Sequence, residues 1–123
     1  MSAAQKPMLS IIVIVYDMPR QAMNTLFSLA LPYQKNVTEQ DYEVIVVENR
    51  SAHCLDAAAV AALGSQFRYF LRDEAGVSPV PAVNFAFSQC RGEQIGLIID
   101  GARIVSPRVL EYAMLAARMT EQA

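Results

Sequence analysis

Two short runs of β-branched apolar residues constrain the fold of this chain more than any other feature. Residues 11–15 read Ile-Ile-Val-Ile-Val and residues 44–47 read Val-Ile-Val-Val, with no polar residue in either run. A strand with alternating polar residues can leave one face in water, whereas an uninterrupted apolar strand has to be covered on both faces. The two runs therefore predict central strands of a parallel sheet.

A helical pattern follows each of these two strands. Pro19 fits the first turn of a helix that continues to Leu31-Pro32, where the second proline should stop it. Its predicted packed face contains Ala22, Met23, Leu26, Phe27 and Ala30. The second helix spans residues 55–63 and ends at Gly64 as its C-terminal cap. Its predicted face contains Leu55, Ala58, Ala59, Ala62 and Leu63.

The second half of the chain repeats the alternation of strands and helices. Residues 67–71 predict a strand near the sheet edge, because they mix aromatic residues with a charged one. Residues 76–81 contain two prolines and a glycine and predict a loop, followed by a helix over residues 82–90. Residues 95–99 predict the fourth strand. Ser106 and Pro107 then predict the N-cap and first position of a last helix, with an apolar stripe of Val109, Leu110, Ala113, Met114 and Ala117.

This alternation predicts an α/β fold, a Rossmann-like three-layer sandwich with a mainly parallel sheet and right-handed crossovers. The length of 123 residues and the apolar content of 54% predict a single domain over residues 1–123 with a packed core. The net charge of −2 is not concentrated in any block, so we expect no nucleic acid or anionic membrane as a partner.

The cysteines and the longest apolar run bear on the cell compartment. Cys54 and Cys90 lack metal-ligand spacing, so we expect free thiols and a reducing cytoplasm. The run over residues 8–16 is far shorter than the roughly 20 residues of a membrane helix. It also lacks a basic leader and a small-residue cleavage site. We therefore interpret it as a core strand and expect no membrane segment in this chain.

Polar residues follow three of the predicted strands. Ligands of open parallel sheets bind beyond the carboxyl ends of the strands, where the strand order reverses. Tyr16-Asp17, Glu48-Asn49 and Asp100 all stand at such ends. Each also has a plain interpretation, since Tyr16 could simply close a buried strand and Asp100 could cap one without binding a metal.

Ser51 and Asn84 are each open to two interpretations, and His53 to one. Ser51 could bind a ligand or act as the N-cap of the second helix, and capping is the safer interpretation. Asn84 could bind a ligand or be a satisfied polar residue on its helix. His53 has no cysteine or carboxylate partner at a catalytic spacing, so we interpret it as a surface histidine.

The three strand ends, in this order and spacing, resemble the nucleotide-binding half of family 2 glycosyltransferases with the GT-A fold (nucleotide-diphospho-sugar transferases). The family's first strand ends in Tyr-Asn, where this chain has Tyr16-Asp17. Its second strand ends like Val-Asp-Asn-Gly-Ser, where this chain has Val47-Glu48-Asn49-Arg50-Ser51. Its metal motif is Asp-x-Asp, where this chain has Asp100-Gly101-Ala102. The resemblance covers residues 9–110, the first half of such a domain, and implies a truncated GT-A fold.

The resemblance implies roles for these residues. Tyr16 would lie against the nucleobase, and Glu48 would accept a hydrogen bond from the imino N–H of uracil. Asp100, with phosphate oxygens and water, would hold Mg²⁺ or Mn²⁺, although Ala102 replaces the second carboxylate of the motif. The implied nucleotide-binding set is Tyr16, Asp17, Glu48, Asn49, Ser51, Asn84 and Asp100.

The implied function is a glycosyltransferase-like domain that binds a nucleotide-diphosphate sugar, UDP-linked, for transfer to an unknown acceptor. The acceptor half, with the catalytic base, would lie after residue 123. A second hypothesis is a non-catalytic nucleotide-sugar binding or interaction module with a degenerate metal motif, which Arg50 and Ala102 favour. A third is an unrelated flavodoxin-like α/β domain. A half-domain would expose a sheet edge and part of the stripe over residues 110–119, so we expect a homo-oligomer.

Overall fold

The computed structural model describes residues 7–73, 80–98 and 105–122. Strands and helices alternate throughout, which confirms the predicted α/β fold. The elements are β1 (Leu9–Tyr16), α1 (Pro19–Ser28), β2 (Tyr42–Asn49), α2 (Ala57–Ala61), β3 (Phe67–Arg72), α3 (Val80–Gln89), β4 (Gln94–Ile98) and α4 (Val109–Gln122).

The four strands form one parallel sheet in the order β3-β2-β1-β4. The two uninterrupted apolar runs lie in β1 and β2, the two central strands, and β3 lies at an edge, all as predicted. The chain moves outward from β1 to β3 and then returns to the other side of β1. The strand order therefore reverses between β1 and β4, which places the expected ligand position at the carboxyl end of β1.

Each face of the sheet has its own apolar core. On one face, Val13 and Val15 pack with residues of α1, α2 and α4, including Leu26, Val60 and Leu110. On the other face, a smaller cluster packs against α3 and contains Ile12, Ile14, Ile45, Val47, Ala82 and Ala86. Since β1 contributes to both clusters, its uninterrupted apolar sequence is explained by burial on both faces.

Helix α1 ends at Ser28, before the Leu31-Pro32 stop that the sequence predicts. Side chains from outside the helix donate hydrogen bonds to the carbonyl oxygens at its C-terminus. Gln34 Nε2 donates to Ser28 O at 2.7 Å, and Tyr42 Oη donates to the O atom of the C-cap Leu29 at 2.6 Å. The predicted packed face is also wrong in part, since Phe27 is exposed whereas Thr25 is buried.

Helix α2 covers only residues 57–61, so the prediction of a helix over residues 55–63 is too long. Its N-cap is Asp56, whose Oδ1 accepts a hydrogen bond from Ala58 N at 3.0 Å, so the prediction of Ser51 as N-cap is wrong. Leu55 is buried ahead of the helix, and Val60 is the buried residue within it. Ala58 and Ala62 of the predicted face are exposed.

The remaining boundaries shift by a few residues. Val80 and Pro81 begin α3 instead of ending the predicted loop, because a proline in the first turn gives up no helical hydrogen bond. Residues 76–79 of that loop, and Ile99 of the predicted fourth strand, lie outside the described residues. Helix α4 begins at Val109, after a turn in which Ser106 Oγ accepts from Arg108 N at 3.2 Å. Its stripe is buried at Leu110 and Met114, whereas Val109 is exposed.

A buried carboxylate joins the elements at the amino ends of the strands. Glu43 is 1% exposed, and its Oε2 accepts from Ser10 Oγ at 2.6 Å and from Arg91 N at 2.7 Å. Its Oε1 accepts from Arg91 Nε at 3.1 Å and from Arg68 Nη1 at 3.3 Å. Burial alone would raise the pKa of Glu43, but the hydrogen bonds from Ser10 and Arg91 outweigh it and hold the pKa below its usual value. The network ties the end of α3 to β1, β2 and β3.

No helix within the described residues combines the length and the apolar character that crossing a bilayer requires.

Candidate functional site

The carboxyl ends of β1, β2 and β3 lie side by side at one edge of the sheet. Tyr16 is in register with Asn49, and Asn49 is in register with Arg72. The Tyr16 side chain is 53% exposed, so it does not close the core. Tyr16 and Asn49 are therefore neighbours, whereas Glu48, in register with Val15, projects from the opposite face of the sheet.

Asp17 joins the segments that follow β1 and β2. Its backbone has a φ of 54°, a left-handed conformation that aspartate tolerates better than most residues. Its Oδ1 lies 3.1 Å from His53 Nδ1 and accepts a hydrogen bond from Ser51 Oγ at 3.4 Å. The sequence interpretation of His53 is right about exposure but wrong about a carboxylate partner, which Asp17 provides.

The Asp17 cluster is a polar rim, without the geometry of a hydrolase. In a Ser-His-Asp triad the serine oxygen bonds to the histidine ring. Here Ser51 Oγ bonds instead to Asp17 Oδ1 and to the backbone oxygen of His53, at 3.2 Å. The contact of His53 with Asp17 is solvent-exposed, and contacts of this kind contribute little stability. It links the segment that follows β1 to the segment that follows β2.

Glu48 is buried at the base of the same sheet edge, with 0% of its surface exposed. Its Oε1 accepts two hydrogen bonds, from Leu55 N at 2.9 Å and from Tyr69 Oη at 2.5 Å. Its Oε2 is also buried and has no hydrogen-bond partner among the described residues. Buried polar atoms are nearly always paired, so this oxygen can accept one more hydrogen bond, from a water molecule or from a ligand.

Tyr69 was not among the residues that the sequence indicated for the site. It lies on β3, in register with Val46, and so projects from the same face as Glu48 two residues further along β2. Burial, followed by the hydrogen bond to the Glu48 carboxylate, raises the pKa of Tyr69. Tyr69 therefore keeps its proton and acts as a donor to Glu48. An aromatic residue with a hydroxyl on the neighbouring strand was the sequence signal for this contact.

Aromatic packing supports the end of β3 from the α3 side. The Arg72 guanidinium lies over the Phe85 ring, 4.2 Å from its centroid. Phe85 also meets Phe70 edge to face, with a centroid separation of 5.1 Å. Arg50 N donates to Arg72 O at 2.7 Å and so extends the pairing of β2 and β3 beyond the last strand residues. Contacts with α3 and this hydrogen bond therefore hold the ends of β2 and β3.

Two predicted site residues remain, Asn84 and Asp100. Asn84 is exposed on α3, and within the described part of the chain no hydrogen bond links it to Tyr16, Asp17 or Glu48. Asp100, with Ala102, lies outside the described residues. Across residues 7–73, 80–98 and 105–122 there is no group of three or more histidine, cysteine or acidic side chains that could hold a metal ion. The metal site stays a prediction.

An apolar groove of about 500 Å³ lies apart from the strand ends, between β4 and α4. Its floor includes Leu9 and Ile11, and its walls include Ile98, Leu110 and Ala113. The strand side chains Ile95 and Leu97, which also line it, are exposed. The groove is lined mainly by apolar side chains, so it fits an apolar surface better than a nucleotide.

No family model matches this chain, and no curated protein matches it. Solved structures do match. The crystal structure of S. aureus TarS 1–349 superposes with a TM-score of 0.78 at 21% identity, over 90% of this chain and 32% of that one. A second crystal structure, of S. aureus TarS, gives a TM-score of 0.72 at 19% identity, over 92% of this chain and 20% of that one. At this identity the likeness shows the fold, and the chain spans about a third of the first matched chain and a fifth of the second.

Proposed function

We propose that this domain binds the nucleotide of a UDP-linked sugar and forms the donor side of a glycosyltransferase-like domain. The fold supports the proposal, because TarS is a glycosyltransferase and its structure covers nearly all of this chain. The observation that carries it is the buried Glu48 carboxylate at the end of β2. One of its oxygens has no partner among the described residues, and an exposed tyrosine ends the neighbouring strand.

Each strand-end residue has a role in this proposal. The Tyr16 ring stacks on the uracil, since a flat apolar face with a wet hydroxyl suits an exposed base. Glu48 Oε2 accepts the hydrogen bond from the imino N–H of the base. Asp17, Asn49 and Ser51 offer carboxylate, amide and hydroxyl groups that match ribose hydroxyls.

Two further residues belong to the proposal without a place in the described cluster. Asn84 would contact the nucleotide from α3, and Asp100 would bind Mg²⁺ or Mn²⁺ beside the diphosphate. When bound, such an ion would stabilise the charge of the leaving diphosphate. Transfer of the sugar to an acceptor is likewise a proposal, because the chain spans only part of the matched proteins.

The first test is a calorimetric titration of UDP with and without Mn²⁺. We expect UDP binding in the wild type, and we expect Glu48→Ala to abolish it. Tyr16→Ala should weaken it by about 5- to 150-fold, since stacking of a base on an aromatic side chain contributes roughly 1–3 kcal/mol. Tyr33→Ala is the matched control, because Tyr33 is an exposed tyrosine in a depression with Asn24 and Phe27. The proposal would be contradicted if Tyr33→Ala lost UDP binding, or if the wild type did not bind UDP.

The comparison of UDP binding with and without Mn²⁺ distinguishes a metal-dependent donor site from a non-catalytic binding module. Binding that strengthens with Mn²⁺ favours a donor site that retains metal chemistry despite Ala102. Binding that is indifferent to Mn²⁺ favours the non-catalytic binding module, for which Arg50 and Ala102 are the sequence observations.

We also propose that two copies of this chain associate through β4 and the apolar groove. Among the described residues β4 pairs only with β1, so its outer edge is open. The strand Gln-Ile-Gly-Leu-Ile carries no charge, and an antiparallel pair of copies would bring no like charges together. Light scattering should show a dimer in the wild type. Leu97→Lys should convert the dimer to a monomer. The control Val80→Lys, at an exposed residue of α3, should leave the dimer unchanged. A wild-type monomer at high concentration would refute this association.

The cysteines support the cytoplasm as the proposed compartment. Cys54 and Cys90 are both free thiols and both half-buried. Each donates to a nearby backbone oxygen, Cys54 to Ser51 O at 3.4 Å and Cys90 to Ala86 O at 3.3 Å. A reducing compartment keeps such thiols in this state.

A further inference from the structure

The backbone groups on the outer edge of β4 belong to Ile95 and Leu97. Gln94 N donates to Met8 O at 3.0 Å, so Gln94 directs its N–H and C=O groups toward β1. Along a β-strand these groups point to the two sides in alternation, so Gly96 also faces β1. Ile95 and Leu97 therefore direct their N–H and C=O groups outward, and in the part of the chain that the structure describes β4 pairs only with β1.

The side chains of β4 are those of an inner strand. Ile95 and Leu97 lie in register with Ser10 and Ile12, and Ile12 belongs to the core on the α3 face of the sheet. Both side chains are exposed, at 42% and 43%, beside the part of the sheet on which α3 packs. Gly96 lines the apolar groove on the other face. A strand without polar residues on either face is typical of a position inside a sheet.

We infer that the β4 strands of two copies pair in antiparallel orientation about a two-fold axis beside Gly96, so that the two sheets become one. This inference rests on the proposed association of two copies and specifies its register. Ile95 lies opposite Leu97 of the partner subunit, and the two residues exchange both of their N–H···O bonds. The outward groups of the strand are thereby paired, and isoleucine packs against leucine on the α3 face.

Glycine suits the centre of this arrangement. Gly96 lies opposite Gly96 of the partner subunit in a pair without mutual hydrogen bonds, where Cα atoms approach to about 4.5 Å. Within one copy, a Cβ atom at Gly96 would lie 2.9 Å from Ile11 Cδ1, so packing against β1 already disfavours a side chain here. A glycine inside a strand often marks the close approach of another backbone. The apolar grooves of the two copies meet across the glycine pair.

The neighbouring two-fold registers leave edge groups unpaired. An axis beside Ile95 would set Leu97 opposite Glu93 of the partner subunit. Glu93 N donates to Met8 O of its own copy at 3.0 Å, and its charged side chain would stand beside an apolar one. An axis beside Leu97 would set Ile95 opposite residue 99, beyond the end of β4. Of these three registers, the one centred on Gly96 pairs both edge residues within the strand.

Cysteine cross-linking tests the register. In a Cys54→Ala/Cys90→Ala background, Ile95→Cys and Leu97→Cys proteins are prepared separately, mixed under reducing conditions and then oxidised with diamide. Opposite residues of such a pair have Cα atoms about 5.5 Å apart, within the range that a disulfide spans. The oxidised mixture should therefore give a covalent dimer on a non-reducing gel.

Each variant oxidised alone is the matched control. Ile95 and Ile95 of the partner subunit are diagonal neighbours in this register, about 7–8 Å apart. Cysteines with Cα atoms more than about 7 Å apart do not bridge without movement of the backbone, so either variant alone should give little covalent dimer. Gln94→Cys mixed with Ile98→Cys is a second opposite pair, on the other face of the sheet, and should behave in the same way.

The outcomes separate the register from the association on which it rests. A wild type that is monomeric by light scattering overturns both, including the case in which another polypeptide covers β4. A wild-type dimer overturns the register alone if neither mixture cross-links, or if Ile95→Cys or Leu97→Cys cross-links as well alone as in the mixture. UDP takes no part in the measurement, so its result is independent of the proposed nucleotide binding.

Discussion

Glu43→Ala is expected to lower the free energy of unfolding by about 3–5 kcal/mol, the size typical of removing one partner from a buried charge network. The carboxylate accepts from Ser10 Oγ and Arg91 N, and its loss leaves those donors without their partner. Arg68 keeps Gln89 O and Gln89 Oε1 as acceptors, at 2.9 Å and 3.1 Å. Most of the loss should therefore come from Ser10 and the start of the α3 to β4 connection.

Urea denaturation of the wild type and two variants measures this loss. Glu93→Ala is the control, since Glu93 is exposed and follows the same connection. Exposed substitutions of this kind usually change stability by less than about 0.5 kcal/mol. Equal midpoints for the Glu43 and Glu93 variants would show that the network does not stabilise the fold.

The dependence of the free energy of unfolding on pH is a second measure of the contribution of Glu43. The pKa of Glu43 is lower in the folded state than in the unfolded chain, where it is about 4.3. Its contribution is therefore fully present above the unfolded pKa and is lost as the pH falls through the folded pKa. Below about pH 4 the wild type should lose stability more steeply than Glu43→Ala, because only the wild type has this carboxylate to protonate.

The sheet was predictable from the sequence because a strand that is buried on both faces has an uninterrupted run of apolar residues. All the apolar side chains of a run such as residues 11–15 are removed from water only when the strand is central and covered on both faces. The face of α1 was less predictable, because apolar periodicity does not include buried polar residues. Thr25 and Ser28 are buried by donating to the backbone oxygens of Gln21 and Thr25, at 3.3 Å and 2.6 Å. The packed face therefore includes these polar residues, and Phe27 lies outside it.

The site was predictable in position but not in its contacts. Tyr16 and Glu48 stand at strand ends, and any parallel sheet brings such ends together. The contact of Tyr69 with Glu48 depends on the register of β2 and β3, which the sequence pattern does not fix. The contact of His53 with Asp17 depends on the left-handed backbone of Asp17. Nucleotide binding and the roles of Asp100 and a metal stay predictions.

Leu26→Ala should cost about 2–5 kcal/mol, since Leu26 is 0% exposed and truncation of a buried leucine leaves a cavity. Phe27→Ala, one residue along the same helix, should cost less than about 1 kcal/mol, because Phe27 is 59% exposed. The pair is informative because the apolar pattern alone predicts that both side chains are packed. Urea denaturation with equal m-values would give the two losses directly.

A loss for Phe27→Ala as large as that for Leu26→Ala would mean that α1 is rotated relative to the described structure. The consequence would reach the strand ends, because α1 begins at Pro19, two residues after Asp17. A rotation of the helix about its axis would move its first turn and change the direction of the Asp17 carboxylate, which now contacts Ser51 and His53. Such a rotation would therefore also disturb the contacts that Asp17 makes with Ser51 and His53.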